Sequence, residues 1–233
     1  ALNAELGPGT YAALAHPNPG TDQIQVAAVY RPARLTPVGP ARSSDDPVFR
    51  RPPLVQTFRP AGRGGTEFTL IVNHFKSKGC DGAAGPDADQ GDGQGCFNAE
   101  RVRQARAVLD LIATLRTPNP VVLGDLNAYA EEDPVETLEA GGLVSVTKRH
   151  VPARLRYSYV FEGLAGELDH VLVGRGLLRR VTGATIWHIN ADEPRILDYN
   201  TEFNPPGLYR PDAFRSSDHD PVLVGLSLRG GPR

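Results

Sequence analysis

The run Pro120–Gly124, PVVLG, has no polar side chain, and it follows directly on the clearest helical pattern in the chain. A strand of that composition has no face to offer water, so it must be covered on both sides. Just upstream, Val102, Ala105, Val108, Leu109, Ile112 and Leu115 recur at three- and four-residue steps, the spacing of one helix face. Asn98 is placed to cap that helix, and Pro118 and Pro120 to end it. A helix that delivers the chain into a doubly covered strand calls for layered α/β packing. Hairpin signals elsewhere exclude a purely parallel sheet. Leu54–Pro60 and Glu67–Phe75 read as strands joined by a Gly-rich turn at Arg63–Gly65. Ile24–Pro32, Ser158–Phe161, His170–Val173, Ala184–Ile189 and Val222–Leu228 read as further strands. DPVETLEAGG reads as a short helix with Asp133 as cap, Pro134 in its first turn and Gly141 at its exit.

With 233 residues, 40% of them hydrophobic, the chain can bury a substantial core and is not of disordered composition. It shows no internal repeat and no interdomain linker, which predicts a single domain over residues 1–233. No apolar run approaches the ~18 residues of a membrane span, and no secretory signal is visible at Ala1. The net charge of −2 counts against a strongly basic nucleic-acid binder. It is compatible with an enzyme that offsets phosphate charge with a bound metal. The lysines are Lys76, Lys78 and Lys148, and two of them flank one motif discussed below.

Cys80 and Cys96 enclose DGAAGPDADQGDGQG, a Gly- and Asp-rich stretch with too few apolar side chains to pack on itself. A disulfide closing it would contribute on the order of 3 kcal/mol and would place the protein in an oxidising compartment, secreted, periplasmic or at the cell surface. Two free thiols in a reduced cell are the alternative. The wide spacing and the lack of Cys-x-x-Cys argue against zinc. Asp87, Asp89 and Asp92 form an incomplete calcium-loop series, so Ca²⁺ is one candidate ligand there, against a plain surface loop.

Four polar clusters stand at strand mouths. In GDLNA, Asp125 and Asn127 lie two apart and face the same way, offering oxygens to a hard cation or to a phosphate-bound water; an Asx turn is the structural alternative. In VNHFKSK, His74, Lys76 and Lys78 share one face of an extended strand and would attract an anion; a core histidine is the alternative. In GELDHVLV, Asp169 opens a strand, with a turn or cap residue as the alternative, while His170 points the other way and reads as structural. In SSDHDPV, Asp218, His219 and Asp220 crowd together at high electrostatic cost unless something uses the charge. Together these residues suit metal-assisted hydrolysis: an imidazole to move protons, a carboxylate to hold its tautomer, another for a metal. There is no Gly-x-Ser-x-Gly elbow, Gly-rich phosphate loop or dinucleotide fingerprint.

In this order, VNHFKSK, GDLNA, LDHVLV and SSDHDPV resemble the endonuclease/exonuclease/phosphatase superfamily, to which pancreatic deoxyribonuclease belongs. AVYRPARLTPVG, GDGQGCFNAER, TIWHINADEPRILDYNTEF and LYRPDAFRSSDHDPVLVGL are similar to its bacterial extracellular nuclease branch. The resemblance implies a four-layer α/β/β/α sandwich of two packed mixed sheets, with the site at one end. It implies that Asp125 and Asn127 handle the attacking water and the phosphate, that His219 is the catalytic imidazole oriented by Asp169, and that His74 sits beside the scissile phosphate. Asp218, with Asp125, would bind Mg²⁺ or Mn²⁺. Arg51 is similar to a phosphate-contacting arginine, with a plain surface arginine as the alternative, and Asp22 would orient His74; Lys76, on the anion-attracting face, is the further candidate for contact with substrate phosphate. The expected substrate is DNA, with RNA as a further option, and no membrane partner. Members of the superfamily open with strands carrying an Asn and a metal-binding Glu, and the resemblance places both upstream of this chain. The chain would then hold about two-thirds of the domain, with the upstream segment as a partner. ALNAEL reads as the tail of a helix, so Asn3 and Glu5 are not assigned. Two alternatives follow: a catalytically incomplete fragment that binds nucleic acid or a partner chain, and a phosphatase or lipid phosphodiesterase. The sequence shows no exposed aromatic or apolar stretch for lipid docking, which disfavours the latter.

Overall fold

The computed structural model describes residues 1–62, 64–116, 119–199, 202, 204–205 and 207–228. Arg63 and Pro118, which figured in the expected turn and helix end, lie outside them. The elements are helices α1 (Leu2–Leu6), α2 (Asn98–Leu115), α3 (Asp133–Ala140), α4 (Val146–His150) and α5 (Arg175–Leu178). The strands are β1 (Ala12–Ala13), β2 (Val29–Tyr30), β3 (Leu35–Arg42), β4 (Leu54–Pro60), β5 (Phe68–His74), β6 (Pro120–Asp125), β7 (Leu143–Ser145), β8 (Tyr159–Phe161), β9 (Leu164–Gly166), β10 (Asp169–Gly174), β11 (Val181–Ile186) and β12 (Val222–Leu226).

The centre of the molecule is a six-stranded sheet in the order β3-β4-β5-β6-β10-β7. β5 and β6 run parallel, joined through α2, and the other pairs are antiparallel. This is the mixed α/β architecture expected. β6 is covered on both faces, as its composition demands. Val122 joins the cluster of Val55, Ile71 and Leu172 that packs under Ala105 and Val108 of α2 and Val135 and Leu138 of α3. Its neighbour Val121 joins Phe58, Phe68 and Val173 on the opposite face, against Leu177 and the partly buried Val181, Ala184, Val224 and Leu226. The last four belong to the β11–β12 pair, a second, two-stranded sheet. The layers seen are thus helix, mixed sheet and second sheet. Alternation of side chains along each strand sorts neighbours into the two cores.

Several boundaries differ from expectation. The Ile24–Pro32 strand shrinks to Val29–Tyr30. β3 is an edge strand holding Pro37 and Pro40, residues that mask a strand signal because they cannot donate to the ladder. Asn98 is the first helical residue of α2 and not its cap; Phe97 precedes it at φ 59°. The exposed amide is satisfied from a distance: Glu100 N donates to Asp87 Oδ1 at 2.8 Å. Likewise Glu132, not Asp133, is the N-cap of α3. Cys80 and Cys96 come together with their sulfurs at bonding distance, closing the Gly/Asp loop.

Candidate active site

Strand register builds the site. In the parallel β5–β6 pair, His74 stands opposite Asp125; in the antiparallel β6–β10 pair, Asp125 stands opposite Asp169. Three polar side chains from three adjacent strands therefore form one row at one end of the sheet. Residues opposite each other in a ladder bring their Cβ atoms to within roughly 5 Å, so residues far apart in sequence become neighbours. The close approach depends on Gly124, which has φ 123°; a Cβ built there would lie 2.0 Å from Asn73 O.

Asp125 is held from several sides. Its Oδ1 accepts from Asn127 N at 2.7 Å and its Oδ2 from Asn127 Nδ2 at 3.1 Å, and His74 Nε2 lies 3.3 Å from Oδ2. Asn127 takes a left-handed conformation, φ 47°, that asparagine tolerates better than most residues. It also donates to Phe75 O at 3.1 Å, which ties the turn to the strand end carrying His74. The Asx turn expected as the structural alternative for GDLNA is formed, and it leaves Asp125 and Asn127 side by side at the strand end.

His219 arrives from the loop before β12. Its Nδ1 lies 2.6 Å from Asp169 Oδ2, and its ring packs against Tyr159 at a centroid distance of 4.7 Å. Burial alone works against the imidazolium, but the Asp169 hydrogen bond and the charges of Asp169, Asp125 and Asp218 outweigh it and raise the pKa to about 9. With Nδ1 engaged, Nε2 is left as the atom able to meet a ligand. Asp169 is itself positioned: Ser158 Oγ donates to Asp169 Oδ2 at 2.7 Å and accepts from Leu168 N and Asp169 N at 3.1 and 3.0 Å. Ser158 is fully buried, and its carbonyl accepts from Asp220 N.

Ser158 was read only as the start of a strand, and no local motif marks it. Asp220 was read as one of a charged cluster. It is buried, with Oδ1 accepting from Ile189 N, Asn190 N and Ala191 N and Oδ2 set 2.9 Å from His188 Nδ1. Asn190 returns a hydrogen bond to His219 O. Asp220 thus clamps the 188–191 loop behind His219.

Other expectations are corrected. Asp22 does not orient His74. Its Oδ2 accepts from Arg51 Nε at 3.0 Å and its Oδ1 from Ile24 N. The backbone bond from Ile24, then the Arg51 guanidinium, hold its carboxyl below the usual range. The shared face of His74, Lys76 and Lys78 breaks where β5 ends at His74. Lys78 turns to Glu132, 2.5 Å away, and to Gln94 O, a structural role. Lys76 stays beside Arg51 and His74. His170 is buried with Nε2 on Ala128 O at 2.8 Å, structural as expected. The calcium series is dispersed: Asp87 caps α2 and pairs with Arg103, while Asp89 and Asp92 close local turns onto Gly91 N and Gln94 N. Asp218 makes no hydrogen bond among the described residues. Among those residues no group of three or more His, Cys, Asp or Glu side chains is disposed to hold a metal ion. No described helix is long and apolar enough to cross a membrane. Contrary to the expectation of no exposed apolar stretch, Phe161 and Leu164 on the β8–β9 hairpin, and Trp187, are exposed.

A sequence model described as the Endonuclease/Exonuclease/phosphatase family matches residues 3–219. No curated protein matches the chain. Among solved structures, the chain is similar to the mannosyl-6-phosphatase Bt3783 of Bacteroides thetaiotaomicron VPI-5482, with 16% identity over 94% of this chain and 78% of that one and a TM-score of 0.62. It is similar to D. rerio TDP2 complexed with a single-strand DNA product, with 15% identity, 95% and 78% coverage and a TM-score of 0.53. It is also similar to a variant of the Neisseria 3′ phosphatase NExo bound to a product DNA hairpin, with 16% identity, 86% and 74% coverage and a TM-score of 0.52. At these identities the likeness is one of fold.

Proposed function

This chain belongs to the endonuclease/exonuclease/phosphatase family, and we propose from that premise that it is a divalent-metal-dependent nuclease that hydrolyses internal phosphodiester bonds in DNA outside the cytoplasm. Members of the family hydrolyse phosphoester bonds and generally depend on a divalent metal. The observation that carries the reading is the row His74–Asp125–Asp169 across three adjacent strands, closed by His219 at 2.6 Å from Asp169. In this reading the row sets donors and acceptors around the phosphorus, the arrangement an in-line displacement needs.

In this reading Asp125 and Asn127 align the attacking water against the phosphate. Asp125 accepts from that water, while the Asn127 amide is fixed by Phe75 O. His74 stands beside the phosphate, with its Nε2 3.3 Å from Asp125 Oδ2. Arg51, held by Asp22, adds charge on the same side. Asp125 takes the proton of the water as its oxygen bonds to phosphorus, and His219, carried as the imidazolium, gives its Nε2 proton to the leaving oxygen as the P–O bond breaks, while Asp169, gripped by Ser158, fixes the ring through Nδ1. Mg²⁺ or Mn²⁺, when bound, would stabilise charge on the phosphate oxygens. The paired cysteines, taken as an oxidised disulfide, support an extracytoplasmic location.

Incubation of supercoiled plasmid with the protein in Mg²⁺, Mn²⁺ or EDTA tests the reading. Nicking with either metal and none in EDTA is expected. Binding of DNA without cleavage under every condition would leave the non-catalytic alternative standing. Hydrolysis of a sugar phosphate or a phospholipid in preference to DNA would replace the nuclease reading with one of the other two.

A further inference from the structure

Beside His74 a recess of about 100 Å³ opens, lined by Asp22, Arg50, Arg51, Lys76 and Ser77 among others. Its charge balance is uneven. Arg50 is matched by Glu100 through two contacts of 3.0 and 3.2 Å, and Arg51 by Asp22 at 3.0 Å. Lys76 has no carboxylate partner among the described residues. Its Nζ touches Ser77 Oγ at 3.0 Å and Ser77 O at 3.4 Å and sits 4.0 Å from the centroid of the Phe97 ring. Burial, then the nearby Arg50 and, more weakly, Arg51 and Arg101, hold this ammonium below its usual range, with Glu100 offsetting part of the effect. With both arginines already paired, the half-buried Lys76 ammonium is the cation of the recess left without a carboxylate among the described residues, and an anion would relieve it. A recess of this size admits only a small anion, and His74 is part of its lining.

Resting on the nuclease reading above, we infer that this recess holds the phosphate next to the one being cleaved, so that the substrate class is a strand with consecutive phosphodiesters and not a lone phosphomonoester. Lys76 Nζ and Ser77 Oγ supply the donors. The Phe97 ring fixes the lysine stem and excludes water from one side of the ammonium.

The test compares thymidine dinucleotide, which has one phosphate, with the trinucleotide, which has two, by NMR titration in EDTA where nothing is cleaved. The wild-type protein is expected to bind the trinucleotide about tenfold tighter, the worth of one charge-assisted contact. A neutral methylphosphonate at one of its two linkages should remove that advantage, and Lys76→Ala and Lys76→Gln should each cut it to about twofold. Equal affinity of wild type for the two oligonucleotides would overturn the inference without recourse to any variant. So would an advantage that survives in both Lys76 variants. Tighter binding of the trinucleotide by a protein that nicks no plasmid would leave the recess standing and sink the nuclease reading; plasmid nicking with no trinucleotide preference would do the reverse.

Discussion

At the scale of single residues, the chemistry rests on who holds whom. The polar side chains at His74, Asp125, Asn127, Asp169 and His219 were legible as candidates because each stands in a short polar cluster beside an apolar strand. The residue that organises them was not legible. Ser158 looks like any strand-initiating serine, yet its hydroxyl serves Asp169 and two backbone amides. Ser158→Ala leaves buried N–H groups without an acceptor and should cost about 1–3 kcal/mol in urea denaturation. It should also lower kcat more than it raises KM, because Asp169 loses a fixed orientation. His219 gives a second prediction at this scale. Its folded pKa is raised to about 9 from the ordinary 6.5. A group raised in this way contributes stability that is complete below about 6.5 and is lost as pH rises through about 9. In EDTA, His219→Asn should therefore lower the urea midpoint more at pH 6 than at pH 10. In Asp169→Asn, the imidazole titration followed by NMR should fall back toward or below ~6.5. An equal loss at both pH values would contradict the Asp169–His219 pairing. Asp22 shows the limit of reading by resemblance: its nearest cation, Arg51, claimed it before His74 could.

At the scale of elements, patterns of one period survive and patterns that depend on distant partners do not. α2, β4 and β6 form close to where spacing and composition put them, since their apolar faces are local properties of the chain. The start of α2 is different. Its amide acceptor is Asp87, brought in by the loop between the cysteines, and no rule about neighbouring residues finds a cap so far upstream. The Ile24–Pro32 strand shortens because its apolar residues find no continuous partner; Ile24 and Val29 are exposed. Register is the element-level property that makes the site, and Gly124 guards it. A side chain there meets Asn73 O at 2.0 Å and must also adopt φ 123°. Gly124→Ala should separate β5 from β6, uncouple His74 from Asp125, and cost about 3 kcal/mol or more by thermal or urea unfolding. Activity should be lost even in the fraction that remains folded, at temperatures well below Tm. Wild-type activity in a Gly124→Ala protein would show that close β5–β6 register is not what assembles the site.

At the scale of the whole molecule, two cores flank one sheet, and the polar row sits where that sheet ends. A helix face covers one side and the β11–β12 sheet the other. The layered α/β class was legible from a doubly apolar strand that follows a helix. The meeting of His219 with Asp169 was not deducible from composition or spacing, because it depends on a loop folding back across the sheet end. That meeting is the central claim: Asp169 and His219 act as one unit on the reacting oxygen. A double-mutant cycle on the rate of plasmid nicking, with Asp169→Asn, His219→Ala and the two combined, measures it directly. Each single change should lower the rate on the order of a hundredfold or more, and the double variant should be little worse than His219→Ala alone. Losses that multiply in the double variant, or a His219→Ala protein that nicks at the wild-type rate, would contradict the account.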